Sequence, residues 1–151
     1  MSNLLLISQL ISTYCCAIFA GAAIYINLGE HPARLECGTA LAATVFPGSY
    51  KRAAALQAPL ALFGFVFSIV AFLNGASVWW LIAGFLLFLV VPFTFIAIMP
   101  TNKKLLNPKV EKKSKTTHQL LVNWGKLHAV RSVLSLLSLF IFLTNLIFCS
   151  K

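Results

Sequence analysis

Four long apolar runs dominate this chain and limit what it can fold into. They cover residues 4–26, 53–73, 78–99 and 133–149, and no charge lies inside any of them. We extend the fourth span backwards through Arg131, to residues 131–149. A helix needs about 20 apolar residues to cross the hydrocarbon core of a bilayer, with a range of about 17–25. A spanning segment must also satisfy its own backbone hydrogen bonds, so each run predicts a transmembrane helix. The first run lacks a basic leader and exceeds the usual signal-peptide core, so we expect it to remain as a span.

The composition agrees with a protein built in lipid. Apolar residues make up 60% of the chain and charged residues 10%, whereas soluble domains have about 45–50% and about 25%. A soluble globule, a disordered chain and a collagen-like fibre are therefore disfavoured. We predict an all-α fold, a polytopic membrane protein whose four transmembrane helices form one bundle, as a single domain over residues 1–151.

The connections between the runs differ in length. Residues 74–77 form a tight turn, whereas residues 27–52 and 100–130 are long. We predict loops for both long connections, with breaks at Pro32 and Pro47 in the first. The last helix should begin before the membrane, with Thr116 or Thr117 as its N-cap.

Positive charge is concentrated on one side of the predicted bundle. The net charge is +9. Of the 12 Lys and Arg residues, ten lie in the two long connections, and the other two are the adjoining Arg131 and Lys151. The positive-inside rule places both connections in the cytoplasm and both termini outside it.

The same charges predict partners. We expect the Lys-rich stretch Lys103–Lys115 to contact anionic lipid headgroups. Nucleic acid is an unfavourable partner, because this stretch lacks interleaved aromatic residues and adjoins membrane spans. Small-residue helix faces are compatible with a homo-oligomer.

Small and polar residues form a stripe along the first span. Such a stripe points towards neighbouring helices, because hydrocarbon cannot satisfy polar atoms. The stripe predicts helix packing. Its end near Glu30 could instead line a pocket. Its members follow steps of four and three: Gln9, Thr13, Cys16, Ala20, Ala23, Asn27 and Glu30.

Two features of the later spans matter for a site. Pro92 should kink the third span, and Thr94 can satisfy a carbonyl that the kink frees. Trp124, His128 and Arg131 share one face of the fourth helix near the membrane border. That face is either an interfacial anchor or part of a pocket.

Ionisable and amide side chains from three helix ends should meet at this border. Histidine exchanges protons near neutral pH, and a carboxylate can orient it, so the group predicts a site for proton transfer. We expect a base at His31 or His128, oriented by Glu30. Asn102 or Arg131 would donate to an oxyanion. The members are Glu30, His31, Arg34, Asn102, His128 and Arg131.

A metal or haem is an open alternative. His31, His128 and Glu30, with His118, supply enough nitrogen and oxygen ligands for one ion. However, neither an HExxH motif nor a His-x-x-x-His pair is present, and His118 lies in the polar approach to the fourth span. The four cysteines lack a metal-type spacing, and we interpret them as apolar fillers.

Three short motifs carry a family resemblance. They are Asn27-Leu-Gly-Glu30-His31-Pro32-Ala33-Arg34, then Pro100-Thr101-Asn102-Lys103, then Trp124-x-x-x-His128-x-x-Arg131. In this order they resemble the anthrone-oxygenase-like family of small four-helix membrane proteins. Some members oxidise anthrones to anthraquinones with O₂. The resemblance implies catalytic roles for His31, His128, Glu30 and Asn102, and substrate-binding roles for Arg34, Trp124 and Arg131.

Three functions fit the sequence. The first is a membrane oxygenase or oxidoreductase that acts on a lipophilic aromatic, anthrone- or quinol-like molecule. The second is a non-catalytic assembly factor or complex subunit. The third is a small lipid-binding or transport protein. A pocket at His31, Asn102 and His128 would favour the first, and a polar path through Gln9 and Thr13 would favour the third.

Overall fold

The structure is a computed structural model that describes residues 3–148. Four long helices account for nearly all of these residues. Each is long and apolar enough to cross a membrane, which confirms the predicted all-α membrane bundle. Cys149 and Lys151, at the predicted outer end of the fourth span, lie outside these residues. The first to fourth helices are Asn3–Glu36, Thr39–Leu73, Val78–Leu105 and Lys115–Phe148.

The helices pack in a closed ring. The first contacts the second and fourth, and the third contacts the same two. This up-and-down order puts the connections 37–38 and 106–114 at one end, which we call the basic end, and the turn 74–77 at the other.

Most of the residues predicted as loops are helical instead. The first helix runs to Glu36 and the second begins at Thr39, so only Cys37 and Gly38 separate them. Pro32 and Pro47 therefore lie within helices, contrary to the predicted breaks. Pro32 is the second residue after a π-helical turn, and Phe46, next to Pro47, is buried in the core. Tertiary packing contributes most of the stability of helices in proteins, so a missing backbone hydrogen bond does not by itself end one.

Two π-helical turns interrupt the α-helical geometry, at Ile26–Glu30 and Thr94–Ile98. The second follows Pro92 in a helix that continues through the proline, and the Thr94 hydroxyl donates to the Val90 carbonyl at 2.6 Å. A π turn adds one residue to a helical turn and so rotates the side chains that follow it. Both turns lie just before the residues that meet at the basic end.

The fourth helix begins before the apolar run, as predicted, but its cap is Ser114. The Ser114 Oγ accepts a hydrogen bond from the Thr117 backbone N–H at 3.1 Å. Thr116 and Thr117 lie inside the helix, which begins at Lys115. A side-chain acceptor for an orphan N–H defines an N-cap.

Buried residues form two clusters. One lies in the membrane-spanning half around Phe19, Trp80 and Phe142. The other lies at the basic end around Phe46, Ile98 and Trp124. The candidate functional side chains lie beside this second cluster.

Candidate functional site

Four aromatic rings pack together at the basic end of the bundle. Trp124 lies between the two histidines, with ring centroids 5.0 Å from His31 and 4.8 Å from His128. Phe46 of the second helix packs edge-on against the same indole at 5.3 Å. The structure thus brings together two histidines that are far apart in the sequence.

The first π turn decides which residue of the first helix faces inward. The steps of four and three pointed to Glu30 as the inward residue. Across the π turn the buried positions are instead Ile26 and His31, five residues apart, and the His31 backbone N–H donates to the Ile26 carbonyl. His31 is buried, whereas the Glu30 side chain is 29% exposed.

His31 is held by the backbone of the fourth helix. Its Nε2 lies 3.0 Å from the Leu121 carbonyl oxygen, and because a carbonyl only accepts, this nitrogen carries the proton. The ring lies against Gly125, where an added Cβ would be 2.7 Å from His31 Cδ2. Sequence reasoning missed Gly125, whose only signal was a glycine inside a helical pattern.

Asn27 determines which ring nitrogen of His128 carries the proton. The His128 Nδ1 lies 2.5 Å from Asn27 Oδ1, and the Asn27 amide nitrogen donates to the Gly125 carbonyl at 3.0 Å. Ser132 donates to the same Asn27 oxygen. Since Asn27 Oδ1 accepts, Nδ1 of His128 carries the proton and Nε2 keeps a lone pair. Among the described residues Nε2 has no hydrogen-bond partner.

Asn102 positions Trp124. The indole N–H donates to Asn102 Oδ1 at 2.9 Å, and Asn102 is fully buried. Asn102 lines neither of the cavities described below, so it contacts the site through Trp124.

Glu30 pairs with neither histidine. Its carboxylate accepts from the Ser49 hydroxyl at 2.6 Å and lies 3.7 Å from an Arg34 nitrogen. The expected orientation of a histidine by Glu30 is therefore not what the structure shows, because Asn27 and the Leu121 carbonyl take that role.

Arg131 meets a residue that sequence reasoning passed over. Its guanidinium donates to Gln57 Oε1 at 2.6 Å and lies 5.5 Å from the Phe19 ring centroid. Gln57 is 1% exposed, in the second helix. An amide inside an apolar run was the available signal.

Two adjoining cavities lie beside Gln57 and Arg131. A polar cavity of about 20 Å³ lies beside His128, Trp124, Arg34 and Ser49. An apolar cleft of about 120 Å³ runs between the second and third helices. Both are lined by Tyr50, Ala54, Gln57 and Arg131.

The cleft is largely apolar and reaches the outer surface of the bundle. Phe19, Val90 and Met99 line it, and Phe95 at its rim is 64% exposed within a membrane-spanning helix. A lipophilic molecule could therefore enter from the bilayer.

Buried donors without acceptors surround the polar cavity. In the described part of the chain, Arg34 Nε, Gln57 Nε2 and Arg131 Nε are buried and lack a hydrogen-bond partner. All three residues line the polar cavity. Such groups are costly unless a partner binds, so the cavity is suited to a molecule that accepts hydrogen bonds.

His118 lies away from this group. It is exposed and its Nδ1 is 3.1 Å from the Thr39 hydroxyl. Over residues 3–148 there is no group of three or more His, Cys, Asp or Glu side chains able to hold a metal ion. His31, His128 and Glu30 thus do not form the ligand set considered from the sequence.

Comparison with protein families matches residues 46–141 to the anthrone oxygenase family. The matched region includes Gln57, Asn102, Trp124, His128 and Arg131, whereas the motif around His31 lies before it. Comparisons with curated proteins and with solved structures give no match. Because the match extends over more than half of the chain, this protein belongs to the anthrone oxygenase family.

Proposed function

We propose that this protein is a membrane oxygenase that oxidises a lipophilic aromatic, anthrone- or quinol-like substrate with O₂. One observation carries the proposal: His128 lines a cavity together with Gln57 and Arg131, each of which has a buried nitrogen without an acceptor. A base beside an oxyanion site is what this reaction requires.

The chemistry needs only a base and an anion site. An anthrone has an acidic CH₂ group between two aryl rings. Removal of one proton gives a delocalised anion, which passes one electron to O₂. The two radicals join through a C–O bond, and the resulting peroxide anion takes up a proton. Loss of the second C–H proton forms the carbonyl, breaks the O–O bond and releases water, so CH₂ and O₂ become C=O and H₂O.

The proposed roles follow the positions of the side chains. His128 Nε2 takes the proton, since Asn27 holds the other nitrogen protonated. The Gln57 amide donates to the oxygen that gains charge, and Arg131 aligns Gln57 and adds positive charge. His31 and Asn102 line neither cavity, so we propose that they position Trp124 rather than react.

The two cavities fit different parts of the substrate. A space of about 20 Å³ holds a group about the size of water. It would take O₂ or the reacting edge of the molecule, while the rings lie in the apolar cleft. Gln57 and Arg131 line both cavities, whereas His128 lines the smaller one.

A transport function has less support. Between Thr13 and Asn27 the inward residues of the first helix are buried and mostly apolar. They pack in the membrane-spanning core and leave no polar path along this face of the described first helix. They are Cys16, Phe19, Ala20 and Ala23.

The test measures oxidation of anthrone by the purified protein in lipid nanodiscs, as O₂ consumption and anthraquinone formation. His128→Ala should lower the rate about 10²–10⁴-fold, the usual contribution of a proton-transfer residue. The exposed His118→Ala is the matched control and should keep the native rate. Equal rates for the His128 variant and the native protein, with both folded, would reject the proposal.

A further inference from the structure

The charges around the polar cavity do not balance. Arg34 and Arg131 both line it, and Glu30 lies 3.7 Å from Arg34. The chain's other acidic residues, Glu36 and Glu111, are exposed and line neither cavity. Within residues 3–148, Arg131 therefore has no carboxylate partner.

Arg131 is half-buried, and its Nε is fully enclosed. Its contacts are the neutral Gln57 oxygen at 2.6 Å and the Phe19 ring at 5.5 Å, in a helix long and apolar enough to span a membrane. A guanidinium stays protonated in proteins, and a buried charge is costly unless an opposite charge accompanies it. The missing negative charge is expected from a bound molecule.

Unpaired donors mark where that charge would lie. Gln57 is 1% exposed and Arg34 is 8% exposed, and each has one buried nitrogen without a partner. Arg131 Nε adds a third such donor on the same cavity. These nitrogens suit an ionised oxygen group small enough for a space of about 20 Å³.

The apolar cleft would hold the rest of the ligand. It adjoins the polar cavity at Gln57 and Arg131 and has room for about 120 Å³. We infer that the site binds an amphiphile with one ionised oxygen group, a carboxylate or a phenolate, held by Arg131 and Gln57 with its apolar body in the cleft. The inference rests on the proposed function only in the choice of cavity, because the bound anion would occupy the place where the proposed reaction develops its negative charge.

Binding without turnover tests this inference. The protein in phosphatidylcholine nanodiscs is titrated with anthracene-9-carboxylate and with the neutral anthracene-9-carboxamide, followed by fluorescence. The acid should bind about 10- to 100-fold more tightly, the range for hydrogen bonds to a charged group. Arg131→Gln should reduce acid binding to the level of the amide. The exposed Lys126→Gln, in the same helix, should leave it unchanged.

Other outcomes are equally informative. Equal affinity for acid and amide in the native protein overturns the inference, and this comparison needs no variant to fold. Equal loss in the Lys126 and Arg131 variants would assign the effect to the surface and also overturn it. Competition by oleate would identify the membrane's own fatty acids as the source of the anion, whereas its failure to compete would favour an aromatic acid.

Failure of this inference is distinguishable from failure of the proposed function. Selective acid binding without anthrone oxidation would uphold the anion site and reject the oxygenase. Anthrone oxidation with equal binding of acid and amide would do the reverse.

Discussion

At the scale of single residues, Gly125 shows how a missing side chain builds the site. His31 Nε2 reaches the Leu121 carbonyl because the histidine ring lies directly on the Gly125 backbone. The same glycine's carbonyl accepts from Asn27, which in turn holds His128. One position on the fourth helix thus contacts His31 directly and also the partner of His128.

Gly125→Ala should therefore destabilise the protein. The new Cβ would be 2.7 Å from His31 Cδ2 and 2.8 Å from Nε2, so the ring must move away from the Leu121 carbonyl. Overpacking of this kind costs about 1–3 kcal/mol. A lower unfolding temperature in detergent would show it.

Gly21→Ala is the matched control, since nothing lies within 4 Å of its Cβ. Alanine is favoured over glycine in a helix by about 0.8–1.0 kcal/mol. This variant should be unchanged or more stable. If both variants unfold at the native temperature, the close packing of His31 on Gly125 is wrong.

At the scale of elements, both π turns precede an X-Pro pair. Ile26–Glu30 leads into His31 and Pro32, and Thr94–Ile98 leads into Met99 and Pro100. Proline lacks the N–H that would bond to the preceding turn, so a local change of hydrogen-bond pattern there has a physical cause. The turn places His31 inward and leaves Glu30 at the surface.

The start of the fourth helix gives a prediction about the cap. Ser114 Oγ accepts from the Thr117 N–H and donates to the Thr117 hydroxyl at 3.0 Å. Ser114→Ala should cost about 1 kcal/mol. Faster hydrogen exchange in the first helical turn, with the exchange of the membrane-spanning part unchanged, would reveal the loss.

Thr116→Ala is the comparison for this cap, because Thr116 is exposed in the same turn. Its exchange should stay close to the native rate. Identical exchange in the two variants would indicate that Ser114 does not cap the helix.

At the scale of the whole molecule, the sidedness of the bundle remains a prediction from charge. The basic end carries Lys51, Lys103 and Lys115, all exposed. The positive-inside rule puts this end in the cytoplasm. Position 112 should then be protected from an impermeant thiol reagent in intact cells, and position 151 should be labelled.

The experiment uses single cysteines at Lys112 and Lys151 in a chain whose Cys37 and Cys149 are serine. Cys37 is exposed at the basic end and would otherwise react. Permeabilised cells supply the control, in which position 112 should become labelled. Labelling of position 112 with protection of position 151 in intact cells would reverse the topology.

The sequence alone determined the four helices and the border at which the polar residues meet. Both follow from local physics: an apolar run about as long as a bilayer is thick must be helical in lipid. It also singled out His31, His128, Trp124 and Arg131, because ionisable and amphipathic groups beside such runs are unusual.

Only the tertiary structure decided how these residues are used. The inward position of His31 depends on a π turn that an unbroken pattern of four and three cannot show. Gln57 is a single amide in an apolar run, and only the fold shows that Arg131, 74 residues later, donates to it. The state of His128 depends on Asn27, 101 residues earlier. Such contacts arise from how separate helices pack, which the periodicity of each helix does not encode.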